Sequence, residues 1–200
     1  MERREPKYAP SPTEGALRQG GILSDVVQVL PRLESIGTDR LEAEAIRHKL
    51  AIVLTQECDL EQCFRKLDGG TTGYTNVPLP SILLAEIVSL AMINGGVAAS
   101  SKRPSRDWEI IAQNNNPRFH VCEQVPKEHD LTGVGVPAFG IDFKRYFTVS
   151  TLALYRSIAE GATSRRTCLL PLYASDLCNR FSYYQSRIAL VQQHDVGRPV

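Results

Sequence analysis

No apolar run in this chain of 200 residues reaches the roughly 20 residues a helix needs to cross a bilayer, which excludes an ordinary helical membrane protein. An excess of charge of either sign is also missing. Twenty-three Lys and Arg against 22 Asp and Glu leave a net charge of +1. There is therefore no global electrostatic case for nucleic acid, and any basic surface has to be local. Cysteine is sparse and odd in number, five scattered residues, which is not a disulfide framework; reduced thiols are expected. The opening Met1 to Lys7 lacks the apolar stretch of a signal peptide, so a cytoplasmic location is expected. No phosphate-binding loop, G-x-G-x-x-G or G-x-S-x-G is present, which argues against nucleotide-dependent and serine-hydrolase chemistry. No internal repeat is found.

What is present fits one globular domain, with 42% hydrophobic and 22% charged residues. Residues 1–14 read as a flexible arm, 15–191 as a single α+β domain, and 192–200 as a polar tail. Ile22 to Leu30 is a β-branched strand ended by Pro31, and 32–40 a loop. Leu41 to His48 fits helix or strand and is read as a strand leading into Leu50–Leu54, a short aliphatic run that predicts a buried strand. Leu60, Cys63, Phe64 and Leu67 share one face of a helix, with Asp59 as its N-cap. Ile82 to Ile93 is either a buried helix or a strand as far as Ser89 that runs into a short helix. A short helix around Trp108 and Ile111 follows, then strands over Phe119–Val125 and Phe139–Val149. Next come a helix over Leu152–Ala159 and a last strand at Arg166–Leu170. Leu177, Phe181, Tyr184 and Ile188 recur at the spacing of an amphipathic C-terminal helix.

Chemistry concentrates in two places. Arg47, His48 and Lys49 precede the central strand, and Thr55-Gln56-Glu57-Cys58-Asp59 leaves its end, where a rigid scaffold can position a site. Cys58 is a nucleophile only if a base such as His48 or His120 lies near; otherwise it is a small hydrophobe, with Asp59 capping the next helix. In Arg118-Phe119-His120, arginine supplies a fork for phosphate and histidine moves protons near neutral pH. These are the functions a metal-independent ribonuclease needs, a base for the 2′-hydroxyl and a cation for the phosphate. The alternative is an Arg118–Asp142 ion pair with His120 in solvent or in a satisfied core position. Lys144-Arg145, with Tyr146 and Phe147, offers a basic pair beside stacking faces. Cys58, Cys63, His120 and Cys122 lack the C-x-x-C knuckle of structural zinc, so neither a metal nor a cofactor is expected.

The order of elements, with Gly21-Ile22-Leu23, Arg47 through Thr55, Ile87-Val88-Ser89 and Ile141-Asp142-Phe143-Lys144, resembles the MazF/PemK-like toxins. The Arg-Pro dipeptide of that family is replaced by Arg47-His48-Lys49, and residues 60–80 and 97–120 are additional. The resemblance implies a small SH3-like β-barrel with short helices in its insertions and a C-terminal helix. It also implies a bacterial protein that binds or cleaves RNA within a toxin–antitoxin or phage-defence module, with a protein partner such as an antitoxin and possible homodimerisation. Arg47, His48, Thr55, Arg118 and His120 are the expected catalytic set, and Asp59, Ser89, Lys144 and Arg145 the expected substrate contacts. A non-catalytic barrel that engages a protein partner is the alternative.

Overall fold

Seven strands form one antiparallel sheet in the order β1-β7-β2-β3-β4-β6-β5 in the computed structural model, which describes residues 6–37, 39–40, 42–68, 79–95 and 103–186. The strands are β1 (Tyr8–Pro10), β2 (Gly21–Pro31), β3 (Ala43–Val53), β4 (Ser81–Ser89), β5 (Phe119–Cys122), β6 (Phe139–Ser150) and β7 (Ser164–Leu169). The helices are α1 (Glu57–Asp68), α2 (Leu90–Ile93), α3 (Ser105–Ala112), α4 (Thr151–Ala159) and α5 (Pro171–Gln185). The α+β class is as expected.

A closed barrel is not formed. The sheet keeps two edges, β1 and β5, and among the described residues no ladder joins them. β1 has three residues and ends at Pro10, which has no N–H to donate. The edges nonetheless approach: Tyr8 Oη donates to the Glu123 carbonyl at 2.7 Å, and Lys7 Nζ lies 2.7 Å from Glu123 Oε1. β1 also falls inside the stretch expected to be a flexible arm; pairing with β7 and burial of Tyr8 hold it in place.

Strand alternation sends side chains to both faces of the sheet. Ile22, Ile52, Leu54, Ile141 and Phe143 pack with Ala174, Leu177 and Phe181 of α5 on one face. Leu23, Ala51, Val53, Ile82 and Leu84 pack with Leu60 of α1 and Leu154 of α4 on the other. Because Ala51–Val53 of β3 and Ile82–Ala85 of β4 are covered on both sides, they read as continuous apolar runs instead of alternating ones. Gly20 (φ +75°) lets α5 close on the sheet: a Cβ there would stand 2.9 Å from Ala174 Cβ and 3.0 Å from Leu169 Cβ.

Two boundaries differ from the sequence reading, and one open choice is decided. α1 starts at Glu57, so Asp59 sits within its first turn and is not the N-cap. Ile82–Ile93 divides after Ser89, whose hydroxyl accepts the Met92 N–H at 3.3 Å and so caps α2. β6 is interrupted. Between the pairs Ala85↔Tyr146 and Ile87↔Ile141, β4 advances two residues and β6 five, a bulge of three extra residues. The bulge reverses the alternation, so Phe139, Ile141 and Phe143 face α5 whereas Phe147 and Val149 face α1 and α4. It also leaves Lys144, Arg145 and Tyr146 exposed. Ile188 and the tail from residue 192 lie outside the described residues.

Candidate nucleic-acid interface

The adjacent strands β3, β4 and β6 bring His48, Glu86 and Arg145 together. The His48 ring stacks on Phe147, centroids 3.8 Å apart and planes at 11°. Its Nε2 lies 3.2 Å from Gln28 Oε1, and its Nδ1 lies 3.9 Å from Glu86 Oε1, beyond hydrogen-bonding distance. Arg145 Nε donates to the other Glu86 oxygen at 2.6 Å. Burial is the main cause that pushes the His48 pKa below its ordinary value; the Glu86 carboxylate opposes this and Arg145 adds to it. The imidazole is therefore neutral near pH 7 and able to accept a proton. Glu86 was missed in the sequence, although it is the one charged residue inside the apolar run Ile82–Ile93.

Beside this cluster runs a groove of about 560 Å³ lined by Arg47, Lys49, Glu86, Ser89 and Met92, among others. Arg47 is exposed and only loosely paired, its Nη1 3.4 Å from Asp25 Oδ1. Past Val88 and Met92 the groove meets a smaller pocket of about 80 Å³ where Arg103, Arg118 and Arg145 converge. Arg103 and Arg118 flank the Phe119 ring at 5.1 and 4.8 Å from its centroid. Arg118 is engaged: it forks onto Asp142 with bonds of 2.8 and 2.5 Å. Burial raises the Asp142 carboxyl, but the hydrogen bonds from Arg118 and the Lys144 N–H outweigh it and hold the group below its ordinary value. The ion-pair alternative for Arg118 is thus the arrangement found.

The remaining candidates lie elsewhere. His120 is buried in β5 beside Phe143, three strands from Arg47 in the sheet order. Burial, then the Arg180 guanidinium, lower its pKa to about 4 against the opposing pull of Asp176. It is a core histidine, and the structure does not bring it to Arg47 or His48. Thr55 is buried and tied to β4: its Oγ1 accepts the Leu83 N–H at 2.8 Å. Asp59 and Cys58 are exposed at the start of α1, with Cys58 Sγ 3.9 Å from Asp59 Oδ1. Among the described residues, no three His, Cys, Asp or Glu side chains are placed to hold one metal ion.

Thr55 and Asp59 border a second concavity of about 800 Å³ between the α1 N-terminus and α5. Its lining includes Gln19, Gln56, Thr148, Asn179 and Phe181 and, among the described residues, no Lys, Arg or His. Glu57 at its border is occupied by the Arg18 guanidinium and by the Gln19 N–H, the latter at 2.8 Å. Comparison with known proteins gave no matching family model, no matching curated protein and no matching solved structure.

Proposed function

We propose that this protein binds RNA along the Arg47–Arg145 groove and cleaves it without a metal, as a divergent MazF/PemK-like protein of a toxin–antitoxin or phage-defence module in the cytoplasm. The observation that carries this reading is the neutral, stacked His48 beside the Glu86–Arg145 pair, whose Glu86 also lines a groove with two further exposed cations, Arg47 and Lys49. Once a ribose 2′-hydroxyl displaces the Gln28 amide oxygen, His48 in the tautomer with its hydrogen on Nδ1, the Glu86 side, takes the hydroxyl proton at Nε2. The 2′-oxygen then attacks phosphorus while Arg145 and Arg47 face the charge growing on the phosphoryl oxygens. The 5′-oxygen leaves with a proton from water, giving a 2′,3′-cyclic phosphate and a 5′-hydroxyl. Glu86 positions Arg145 and stabilises the imidazolium as it forms.

A second reading has its own observation. The distal half of the β2–β3 hairpin extends past the sheet with Val29, Leu33 and Ile36 at 66%, 80% and 58% exposure, a surface for a protein partner. Incubation of the purified protein with a mixed RNA pool, with and without EDTA, separates the two. Cleavage that survives EDTA and falls by about 100-fold or more in His48→Ala, the range for losing a general base, supports the ribonuclease. Arg145→Ala should also weaken RNA binding and lower the salt slope by about one. Neither binding nor cleavage of RNA, with Val29→Asp abolishing a stable complex with a host protein, would favour the interaction reading.

A further inference from the structure

The cleft between the start of α1 and α5 has no part in the chemistry above. We infer, on the strength of the RNA reading, that it receives an unpaired nucleobase bearing an exocyclic amino group, from the same strand whose phosphate lies on Arg145. Among the described residues no Lys, Arg or His lines it, and the nearby Arg18 is taken up by Glu57, so the described lining offers an anion no free countercharge. Its floor is apolar, with Leu54, Leu83 and Phe181, whereas Gln56, Asn179 and Asp59 supply amides and a carboxylate. A nucleobase matches both, having apolar faces and edges of donors and acceptors. The concavity of about 800 Å³ accommodates one with its ribose.

Asp59 sets the preference. An ionised carboxylate only accepts hydrogen bonds, and Asp59 is exposed, with the Cys58 thiol at 3.9 Å as its neighbour. Glu57, two residues earlier, is already taken up by Arg18 and Gln19. Adenine, cytosine and guanine offer amino hydrogens to such an acceptor, whereas uracil offers a single ring N–H.

Continuity between cleft and groove comes from β6. β5 pairs with β6 over Phe139–Asp142 and the Phe143 N–H donates to the Arg118 carbonyl at 2.9 Å, so from Lys144 onward that side of β6 has no strand partner among the described residues. Arg145 and Tyr146 are successive, so their side chains point to opposite faces of that edge. Arg145 turns to Glu86 and the groove, while Tyr146 lies edge-on to Phe181 of the cleft, centroids 5.5 Å apart and planes at 73°. A single strand crossing the edge sets a phosphate on Arg145 and passes its base over Tyr146 into the cleft.

The test uses non-cleavable 2′-O-methyl octamers of A, C and U, titrated by fluorescence anisotropy at several salt concentrations. The A and C octamers should bind roughly tenfold more tightly than U, the scale of one good base contact. Asp59→Asn and, separately, Asn179→Ala should bring the three within about twofold while leaving the salt slope, which counts phosphate contacts, unchanged. Equal affinities in the native protein, or a preference untouched by both substitutions, would overturn the base site and leave the RNA reading standing. No binding of any octamer would end both.

Discussion

Two buried ionisable residues outside the groove should dominate acid sensitivity, in separate pH windows. His120 is neutral in the fold, its pKa lowered to about 4 by burial and by Arg180. The unfolded chain binds its proton near pH 6.5, so stability falls as pH drops from there to about 4, by about 3 kcal/mol. His120→Leu should flatten that part of the stability curve in urea melts at pH 7, 5.5 and 4.5. Asp130 acts lower. Its side chain is fully buried and accepts from Arg166 at 2.7 and 2.6 Å, from the Thr132 hydroxyl at 2.8 Å and from the Gly135 N–H at 2.8 Å. The Arg166 bonds chiefly hold the carboxyl well below its ordinary range. Its contribution is complete above the unfolded value, about pH 4, and declines as pH falls below that. Asp130→Ala leaves Arg166 without its carboxylate and should cost about 3–5 kcal/mol at pH 7, read as a shift in urea midpoint.

At the scale of elements, the short helix α2 depends on Gly140. A Cβ there would clash with Ile93 Cδ1 and lie 3.3 Å from its Cγ1, inside the small core formed by Val88, Ile93, Ile111 and Phe119. Gly140→Ala should destabilise by about 1–3 kcal/mol through overpacking. Ile93→Val removes the atom in closest conflict, so the double variant should be more stable than the sum of the single changes predicts, a coupling read from thermal melts. The elements also show what could be read in advance. Leu50–Leu54 and α5 from Pro171 follow from run length, β-branching and helical spacing, whereas Ile82–Ile93 fits a helix as well as the strand to Ser89 that is found. The bulge in β6 does not. Phe139, Ile141, Phe143, Phe147 and Val149 are all odd-numbered and read as one face, yet three residues of slippage divide them between two cores. Arg145 owes its place beside Glu86 to that slippage, so no local pattern pairs the two.

At the scale of the whole molecule, a curled sheet with helices on both faces takes the place of the small barrel that the element order suggests. Long-range placement is the part the sequence carries least. Arg118, just before β5, and His120 within it are two residues apart, yet one is half-exposed and forks onto Asp142 and the other is enclosed beside Phe143 and Arg180. His48, whose partners lie on β2, β4 and β6, is the histidine that meets the Glu86–Arg145 pair. The curl itself is fastened by Tyr8, whose hydroxyl bonds the Glu123 carbonyl across the two edges. Tyr8→Phe should cost about 1 kcal/mol, checked by chemical denaturation.

The most direct test of the His48–Glu86–Arg145 assignment is cleavage of one short RNA in EDTA, beside the same strand carrying a single 2′-deoxy nucleotide at the cleaved position. The account predicts a 2′,3′-cyclic phosphate end on the RNA, no cut at the deoxy position, and loss of both cleavage and its pH dependence in His48→Ala. Cutting at the deoxy position, or cleavage undiminished in His48→Ala, would contradict it.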